Sequence, residues 1–210
     1  MKKGILFDVD GTLWDSAPQV TEAWNEILAS HADAERSITV EDMYNYMGRP
    51  MDEISRMMLP HLEDGRRWEI MEQCMEYENQ YLEKHPGVMY PGVIQVLKEL
   101  SGDYPLYIVS NCQDGYIQVM IKDCGLETLI EDFESYGRTG RPKGENIRLV
   151  VERNQLDRAI YVGDTAMDGQ AARMAGIPFV HAAYGFGTAE EADGVIQKLE
   201  QLAHIAGGLL

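Results

Sequence analysis

Two aspartates separated by one residue follow the first apolar run of the sequence, in the segment Asp8-Val9-Asp10-Gly11-Thr12. A carboxylate at such a position is able to act as a nucleophile, as a general acid or base, or as a ligand for a hard metal ion. A lone aspartate at the end of a strand is more often a turn or helix-cap residue. The chemical interpretation therefore depends on which other groups the fold brings to the same place.

Three further polar segments follow predicted strands or begin a predicted helix. Ser110-Asn111 ends one strand, Gly163-Asp164-Thr165 ends another with Asp168 one helical turn later, and a loop leads to Lys143 at the start of a helix. In open α/β sheets, ligands bind beyond the carboxyl ends of the strands. If the sheet is parallel, all these groups project from one edge into one crevice.

The carboxylates of this crevice need a cation between them. Two like charges about 4 Å apart repel by roughly 4 kcal/mol at an effective dielectric constant near 20. Carboxylate and carbonyl oxygens are hard ligands, and these motifs contain no His or Cys, so the donor set favours Mg²⁺ over zinc. Lys143 supplies a second positive charge. A metal ion and a lysine beside an aspartate, with a hydroxyl and backbone N–H groups opposite, form a site that suits a phosphate group.

Five short and mostly continuous apolar runs predict buried strands of a parallel sheet that has helices on both faces. The predicted strands are Gly4–Val9, Tyr104–Ser110, Asp132–Tyr136, Ala159–Val162 and Pro178–Ala183. The predicted helices between them are Val93–Leu100, Tyr116–Cys124, Glu145–Arg153 and Gly169–Ala175. Gly125 and Gly176 follow two of these helices, where a left-handed residue is favoured. This alternation predicts a doubly wound, mainly parallel, five-stranded Rossmann-like α/β core.

The region between Ser16 and Gly87 contains helical patterns and no convincing strand. Its first helix begins at Ser16-Ala17-Pro18, a capping residue followed by a first-turn proline. Its last helix runs from about Arg66 to Lys84, with apolar residues facing inward and a row of glutamates facing outward. We therefore predict that residues 16–87 form an inserted α-helical cap domain and that residues 1–15 and 88–210 form the core.

The overall charge limits the classes of partner. A formal charge of −17 argues against nucleic acid and against an anionic membrane surface. It also repels anionic substrates, so a local cation has to reverse the sign of the field within a phosphate site. No apolar run approaches the roughly 20 residues that span a bilayer, and Asp8 and Asp10 interrupt the short apolar start, so we expect no membrane span and no signal peptide. Three widely spaced cysteines without a CxxC pair favour a reduced, cytoplasmic protein.

The four polar segments resemble the motifs of the haloacid dehalogenase superfamily. Asp8-Val9-Asp10-Gly11-Thr12-Leu13, with Asp15-Ser16 just after it, resembles the first motif, Ser110 the second, Lys143 the third, and Gly163-Asp164 with Asp168 the fourth. The order and the separations match over the whole chain, and the helical insertion resembles the small cap domain of that family. The resemblance is greatest to the phosphoglycolate-phosphatase-like branch.

The resemblance implies a phosphatase that acts on a small phosphorylated metabolite. Asp8 would attack phosphorus in line and form an aspartyl-phosphate. Asp10 would protonate the leaving oxygen and then deprotonate the hydrolytic water, and crowding by like charge would raise its pKa. Lys143 would neutralise charge on the phosphoryl group.

The resemblance also implies a phosphate-binding set and a metal-binding set. The phosphoryl oxygens would be bound by Ser110, by the backbone near Asn111, and by the loop that contains Gly11 and Thr12. Thr12 is expected to support that loop by hydrogen bonding. Mg²⁺ would be held by the Asp8 side chain, the Asp10 backbone carbonyl and Asp164, with Asp168 helping directly or through water.

Two assignments stay open at the level of sequence. The third motif often reads Lys-Pro, whereas this chain has Arg141-Pro142-Lys143-Gly144, so Arg141 is the alternative to Lys143. In the insertion, Gly48-Arg49-Pro50 is expected to face the crevice. Arg49 would then either contact an anionic substrate group or be an exposed arginine near a helix end.

Other activities are compatible with parts of the pattern. A phosphomutase of the β-phosphoglucomutase type is the nearest alternative, because it shares the aspartyl-phosphate. Dehalogenation is disfavoured by Asp10, since attack on carbon leaves no oxygen to protonate. Phosphonate hydrolysis would need an amine in the cap, and the only lysine there, Lys84, lies at the hinge. A catalytically idle binding protein would have no need of both Asp8 and Asp10.

Overall fold

The computed structural model describes residues 1–210 and contains eight strands and ten helices. The strands are β1 (Lys3–Phe7), β2 (Trp14–Asp15), β3 (Val88–Met89), β4 (Leu106–Ser110), β5 (Ile130–Ser135), β6 (Arg158–Gly163), β7 (Phe179–Ala182) and β8 (Gly194–Ile196). The helices are α1 (Ala17–Ser30), α2 (Val40–Tyr46), α3 (Met51–Met58), α4 (Asp64–Leu82), α5 (Val93–Leu100), α6 (Tyr116–Asp123), α7 (Tyr136–Thr139), α8 (Lys143–Arg153), α9 (Ala166–Ala175) and α10 (Leu202–Leu209). None of these helices is both long and apolar enough to cross a bilayer.

Six parallel strands form the central sheet in the order β5-β4-β1-β6-β7-β8. The predicted fold class, a doubly wound α/β core with a helical insertion, is confirmed. The strand count of five is corrected to six, because β8 pairs with β7 at the sheet edge. β8 has only three residues, Gly194–Ile196, so it carries no apolar run that a sequence pattern would detect.

The sheet is buried on both faces because its strands are apolar on both faces. In β1, Ile5 and Phe7 belong to the larger apolar cluster, whereas Leu6 belongs to a second cluster on the other side. β1 lies between β4 and β6, and Ile5 is paired with Leu106 on one side and Ile160 on the other. This central position places the residue that follows β1 in the middle of the carboxyl edge.

The helical insertion leaves and rejoins the core through a short antiparallel ribbon. Trp14 pairs with Met89 and Asp15 with Val88, so β2 and β3 lie side by side. Between them, α1 packs along α4, and their apolar residues join the same cluster that covers one face of the sheet. Because this cluster is continuous, the division into a core and a cap domain at residues 16 and 87 stays a prediction.

Two left-handed helix ends are confirmed. Gly125 follows α6 with a φ of +65°, and Gly176 follows α9 with a φ of +77°. α8 begins two residues earlier than predicted, at Lys143, and α9 begins three residues earlier, at Ala166. Both shifts bring the first turn of a helix closer to the carboxyl edge of the sheet.

Candidate active site

Asp8 is the first residue after the central strand β1. Its side chain is buried, and its backbone N–H donates to the Val162 carbonyl at 2.9 Å, so the residue is fixed against β6. The chain then turns back sharply, with the Val9 carbonyl accepting from the N–H groups of Leu13 and Trp14. Asp8 therefore begins a rigid turn at the centre of the sheet edge.

Lys143 lies between two aspartates at this edge. Its Nζ is 3.0 Å from Asp8 Oδ2 and 2.7 Å from Asp168 Oδ1. Burial by itself lowers the pKa of this lysine, but the two carboxylates outweigh burial and raise it, so the side chain is a cation. Arg141 is exposed and lies in a separate groove, beside Glu145. The geometry therefore favours Lys143 over Arg141 for the third motif.

Asp164 is held by the loop that follows β7. Its Oδ2 accepts hydrogen bonds from the backbone N–H groups of Phe186 at 2.8 Å and Gly187 at 3.1 Å. Gly11, with a φ of +77°, passes so close that an added Cβ would overlap the Asp164 carboxylate. The glycine of the first motif is thus required by the close approach of the first and fourth motifs.

The residues present fit a divalent cation. Asp8, Asp164 and Asp168 each offer an oxygen, and these oxygens lie within 4.8 Å of one another. Asp8 Oδ1 and Asp164 Oδ1 are buried and have no hydrogen-bond partner, which is costly unless a cation or donor satisfies them. A hard oxygen donor set of this kind suits Mg²⁺.

Asp168 differs from the other two carboxylates because both of its oxygens already accept hydrogen bonds. Oδ1 accepts from Lys143, and Oδ2 accepts from the N–H and hydroxyl of Thr165 in the capping box that begins α9. Of its two predicted modes, direct ligation and a contribution through water, these contacts support the indirect one better; the contact with Lys143 is an addition that the sequence did not predict.

Asp10 lies beside Asp8 but belongs to a different network. Its Oδ1 accepts a hydrogen bond from Tyr116 Oη at 2.5 Å and another from Ser16 Oγ at 3.1 Å. Burial raises the pKa of Asp10 to about 6, and these two hydrogen bonds oppose the rise. Burial is the largest cause of the rise, and the predicted cause, crowding by like charge, is a smaller one that comes from Asp15. Burial also raises the pKa of Asp8, and Lys143 counteracts it.

Tyr116 is a site residue that the sequence analysis did not identify. It is the first residue of α6, and its hydroxyl meets Ser16 and Asp10 although it is 106 positions away from the aspartate in the chain. No local pattern signals such a contact, because the tyrosine reads as an ordinary apolar residue of a predicted helix. Ser16 is predicted as a helix-capping residue just after the first motif, but its hydroxyl makes no cap hydrogen bond and contacts Asp10 and Tyr116 instead.

The predicted phosphate-binding residues gather at the same edge. Ser110 ends β4 and is buried, and Asn111 follows it, with its Nδ2 donating to the Gly48 carbonyl at 2.8 Å. This bond joins the sheet edge to the insertion. The expected support of the loop by Thr12 comes from its backbone, since its N–H donates to the Val9 carbonyl at 3.2 Å and its carbonyl accepts from Tyr184 Oη at 2.7 Å. The Thr12 hydroxyl is buried and forms no hydrogen bond within the protein. It is instead a free polar group at the site.

A narrow pocket with a cavity volume of about 30 Å³, partly open to solvent, lies between the sheet edge and the insertion. We call it the inner pocket; it is lined by Asp10, Ser110 and Asn111 from the edge and by Trp24, Tyr46 and Glu78 from the insertion. Arg49 also lines it and faces a second groove as well, and its guanidinium pairs with Glu53. The Gly48-Arg49-Pro50 segment therefore faces the crevice, as the sequence predicted.

Glu78 departs from the predicted outward row of glutamates on α4. It is 2% exposed, and Trp24 Nε1 and Gln113 Nε2 each donate to one of its oxygens, at 2.6 Å and 2.9 Å. A signal for this position exists in the sequence. Glu78 lies four residues after Cys74 and seven after Met71, both inward-facing, and this spacing places it on the apolar stripe of the helix.

Comparison with known proteins shows the family of this chain. Residues 5–182 match the family model described as haloacid dehalogenase-like hydrolase. A plasmid-encoded phosphoglycolate phosphatase of Cupriavidus necator is 28% identical over 210 residues, covering 94% of this chain and 90% of the relative. A phosphoglycolate phosphatase of Rhodobacter capsulatus is 26% identical and covers 89% of this chain and 86% of its own length.

Solved structures show the same fold. A haloacid dehalogenase-like hydrolase from Streptococcus pneumoniae superposes with a TM-score of 0.84 at 24% identity, over 97% of each chain. A variant of CbbY from Rhodobacter sphaeroides, solved in complex with xylulose-1,5-bisphosphate, superposes with a TM-score of 0.79 at 18% identity, over 96% of each chain.

Proposed function

Because the chain belongs to the haloacid dehalogenase-like hydrolases, we propose that it hydrolyses a small phosphate monoester through an aspartyl-phosphate formed on Asp8. The enzyme class expected from the sequence, a hydrolase of the phosphatase type, is confirmed by the family and by the relatives. The nucleophile, the metal ion and the substrate are parts of the proposal.

One observation carries the proposal. Asp8 follows the central strand with one carboxylate oxygen held by Lys143 and the other buried without a partner. A purely structural aspartate would have both oxygens satisfied, because an unpaired buried acceptor destabilises the fold by about 1–3 kcal/mol. An oxygen kept free in a polar crevice next to a lysine is available to attack an electrophile that carries negative charge.

The chemical steps follow from the groups present. An Asp8 oxygen attacks phosphorus while the bond from phosphorus to the substrate alcohol breaks, and protonated Asp10 gives its proton to the departing oxygen. Asp10 then takes a proton from water, the resulting hydroxide attacks phosphorus, and Asp8 departs as a carboxylate together with inorganic phosphate. The raised pKa of Asp10, about 6, suits a group that has to give and accept a proton in turn.

The remaining site residues bind and orient. We propose that Lys143, Ser110 and N–H groups near Asn111, with Gly11 and Thr12, receive the phosphoryl oxygens. Mg²⁺ would be held by Asp8, the Asp10 carbonyl and Asp164, with Asp168 contributing indirectly. When bound, the ion neutralises charge on the phosphoryl group and so offsets the repulsion from the surrounding carboxylates.

The substrate class is proposed mainly from the relatives. The relatives named phosphoglycolate phosphatase and the CbbY complex concern small phosphorylated compounds, and the narrow inner pocket has room only for a small group. We also propose the cytoplasm as the location, as the sequence predicted, since Cys74, Cys112 and Cys124 are all free thiols.

Hydrolysis of p-nitrophenyl phosphate tests the proposal. We expect phosphate release with Mg²⁺, none with EDTA, none from Asp8→Asn, and a loss of roughly 10²–10⁴-fold from Asp10→Asn. Because p-nitrophenol leaves with little need for a proton, Asp8 should still be phosphorylated in the Asp10→Asn protein. The second step, which needs Asp10 to deprotonate water, should be slow, so the covalent intermediate should accumulate. Intact-mass spectrometry would then show the gain of one phosphoryl group, absent when Asp8 is also changed to Asn.

Asp103→Asn is the matched control, because Asp103 is exposed and follows α5, away from the site. It should retain full turnover. Equal turnover by Asp8→Asn and Asp103→Asn would contradict the assignment of the nucleophile.

A further inference from the structure

Glu78 is a buried carboxylate that the phosphatase chemistry leaves without a role. It lies on α4 and lines the inner pocket together with Asp10. Each of its oxygens accepts one hydrogen bond from a neutral donor: Oε2 from Trp24 Nε1 and Oε1 from Gln113 Nε2. No arginine, lysine or histidine forms an ion pair with it. Buried carboxylates are normally paired with a cation. Glu78 therefore lacks the partner that its burial calls for.

Two further acceptors in the same pocket are also without partners. Asn111 Oδ1 and Gln113 Oε1 are buried and receive no hydrogen bond. Their orientation is fixed by their amide nitrogens: Asn111 Nδ2 donates to the Gly48 carbonyl, and Gln113 Nε2 donates to Glu78 and to Asn79 Oδ1. A flipped amide would lose those bonds and, in Gln113, place its oxygen against a carboxylate. The pocket therefore presents acceptors that need donors.

The rest of the lining adds aromatic and thioether surface rather than positive charge. Trp24, Tyr46 and Tyr116 contribute rings, and Met43 and Met51 contribute side chains next to them. Arg49 is the one basic side chain in the lining, but it is about one-third exposed and pairs with Glu53 in the next turn. Its charge is thus neutralised at the mouth, and the interior holds the carboxyl groups of Glu78 and Asp10 without a basic side chain beside them.

On the basis of the proposed function, we infer that the alcohol released from the substrate carries an ammonium group that binds in the inner pocket at Glu78. Such a group favours the ionised form of Glu78, whose proton burial otherwise retains, and it supplies several N–H donors. The aromatic rings also favour a cation next to them. A carboxylate at the same place would meet two amide oxygens that repel it and would find no cation beside it, and its charge would oppose ionisation of Glu78 and Asp10. The prediction is therefore that amino-alcohol phosphates are preferred over phosphorylated hydroxy acids.

Substrates that differ only in their end group test this inference on the wild-type protein. The two-carbon set is 2-aminoethyl phosphate, 2-hydroxyethyl phosphate and 2-phosphoglycolate, and the corresponding three-carbon set covers the reach from phosphorus to Glu78. With Mg²⁺ present, we expect kcat/KM for the ammonium ester to exceed that for the carboxylate ester by at least about tenfold, with the hydroxyl ester between them. An equal or higher kcat/KM for the hydroxyl or carboxylate ester in both sets would overturn the inference.

A substitution assigns the preference to Glu78. Glu78→Gln keeps the size of the side chain, and a rotated Gln113 amide is able to accept its new N–H. We expect the ratio of kcat/KM between ammonium and carboxylate esters to fall by about tenfold in this variant. Glu76→Gln, an exposed glutamate on the same helix, should leave the ratio unchanged. An unchanged ratio in Glu78→Gln would contradict the role of Glu78.

The two proposals fail in different ways. If the phosphatase proposal is wrong, neither p-nitrophenyl phosphate nor any ester of the two sets releases phosphate. If only the inference about the ammonium group is wrong, p-nitrophenyl phosphate is still hydrolysed and the reaction still depends on Asp8. The ammonium ester then has no higher kcat/KM than the hydroxyl and carboxylate esters.

Discussion

At the scale of single residues, the site depends on one buried cation. Lys143 contacts Asp8 and Asp168, and Asp164 lies close to both aspartates. In a chain with a formal charge of −17, this lysine supplies positive charge from the protein itself at the point where a phosphoryl group would bind. Its removal should therefore affect both the chemistry and the stability of the edge.

We predict that Lys143→Met lowers kcat/KM for p-nitrophenyl phosphate by about 10²–10³-fold, because stabilisation of the phosphoryl charge is lost. The melting temperature should fall as well, since two buried carboxylates lose their partner, and added Mg²⁺ should recover more of it than in the wild type. Lys98→Met, on the exposed side of α5, is the control. Wild-type activity in Lys143→Met would rule out this role.

Glu78 gives a pH dependence whose sign is fixed by its environment. Burial raises the pKa of Glu78 to about 8, the bonds from Gln113 and Trp24 oppose the rise, and Asp10 adds to it. Between the ordinary glutamate pKa, about 4.3, and this value, the folded protein holds a proton that the unfolded chain has released. The contribution of Glu78 therefore lowers the free energy of unfolding as pH rises through this window, by at most about 1.4 kcal/mol per pH unit.

We predict that Glu78→Gln removes this slope, so that the variant gains stability relative to wild type between pH 5 and pH 8. Urea unfolding at several pH values measures the difference. Glu76→Gln should follow the wild-type curve, because its carboxylate is exposed. A constant difference between Glu78→Gln and wild type across this range would contradict a raised pKa.

At the scale of elements, the turn after β1 is shaped by one glycine. An added Cβ on Gly11 would overlap the Asp164 carboxylate, and the residue also has a φ of +77°. Gly125, after α6, has a similar φ of +65° but open space around its Cα. A substitution at Gly125 therefore adds backbone strain alone, whereas a substitution at Gly11 adds both backbone strain and steric overlap.

We predict that Gly125→Ala lowers the free energy of unfolding by about 1 kcal/mol, the cost of a left-handed alanine, and leaves turnover unchanged. Gly11→Ala should cost more than this and should also lower activity, because Asp164 has to move. Urea unfolding and p-nitrophenyl phosphate hydrolysis measure both effects. If both variants lost the same stability and both stayed active, the overlap with Asp164 would have no effect on the site, and the prediction for Gly11→Ala would be wrong.

The sequence predicts some strands and site residues well and others not at all. Asp8, Ser110 and Asp164 were located because each lies at the end of a continuous apolar run, and runs of this kind identify parallel strands. β8 was missed because three residues carry no such pattern, and the contact of Tyr116 with Asp10 was missed because it joins two distant elements. Glu78 was assigned to the wrong face because its charge was given more weight than its spacing.

At the scale of the whole molecule, the excess of acidic residues opposes folding into a compact shape. The chain has 35 Asp and Glu residues against 18 Lys and Arg residues. Exposed charges of one sign repel over distances of about 30 Å at 0.01 M salt but only about 8 Å at physiological ionic strength.

We predict that NaCl raises the melting temperature between about 0.01 M and 0.15 M in the presence of EDTA, because screening weakens this repulsion. KCl at the same ionic strength should give the same shift. A melting temperature that is independent of salt in this range would show that local ion pairs balance the net charge.

The ribbon formed by β2 and β3 bears on how a chain with this helical insertion could have evolved. Since Asp15 and Val88 are direct antiparallel partners, the two points where the helical segment begins and ends are about 5 Å apart, the spacing found across any hairpin. A tight two-residue turn would close the same gap. A segment of some seventy residues therefore fits between β2 and β3 without moving any strand. If an ancestor had a simple hairpin here, it could have acquired the helices without any rearrangement of the sheet.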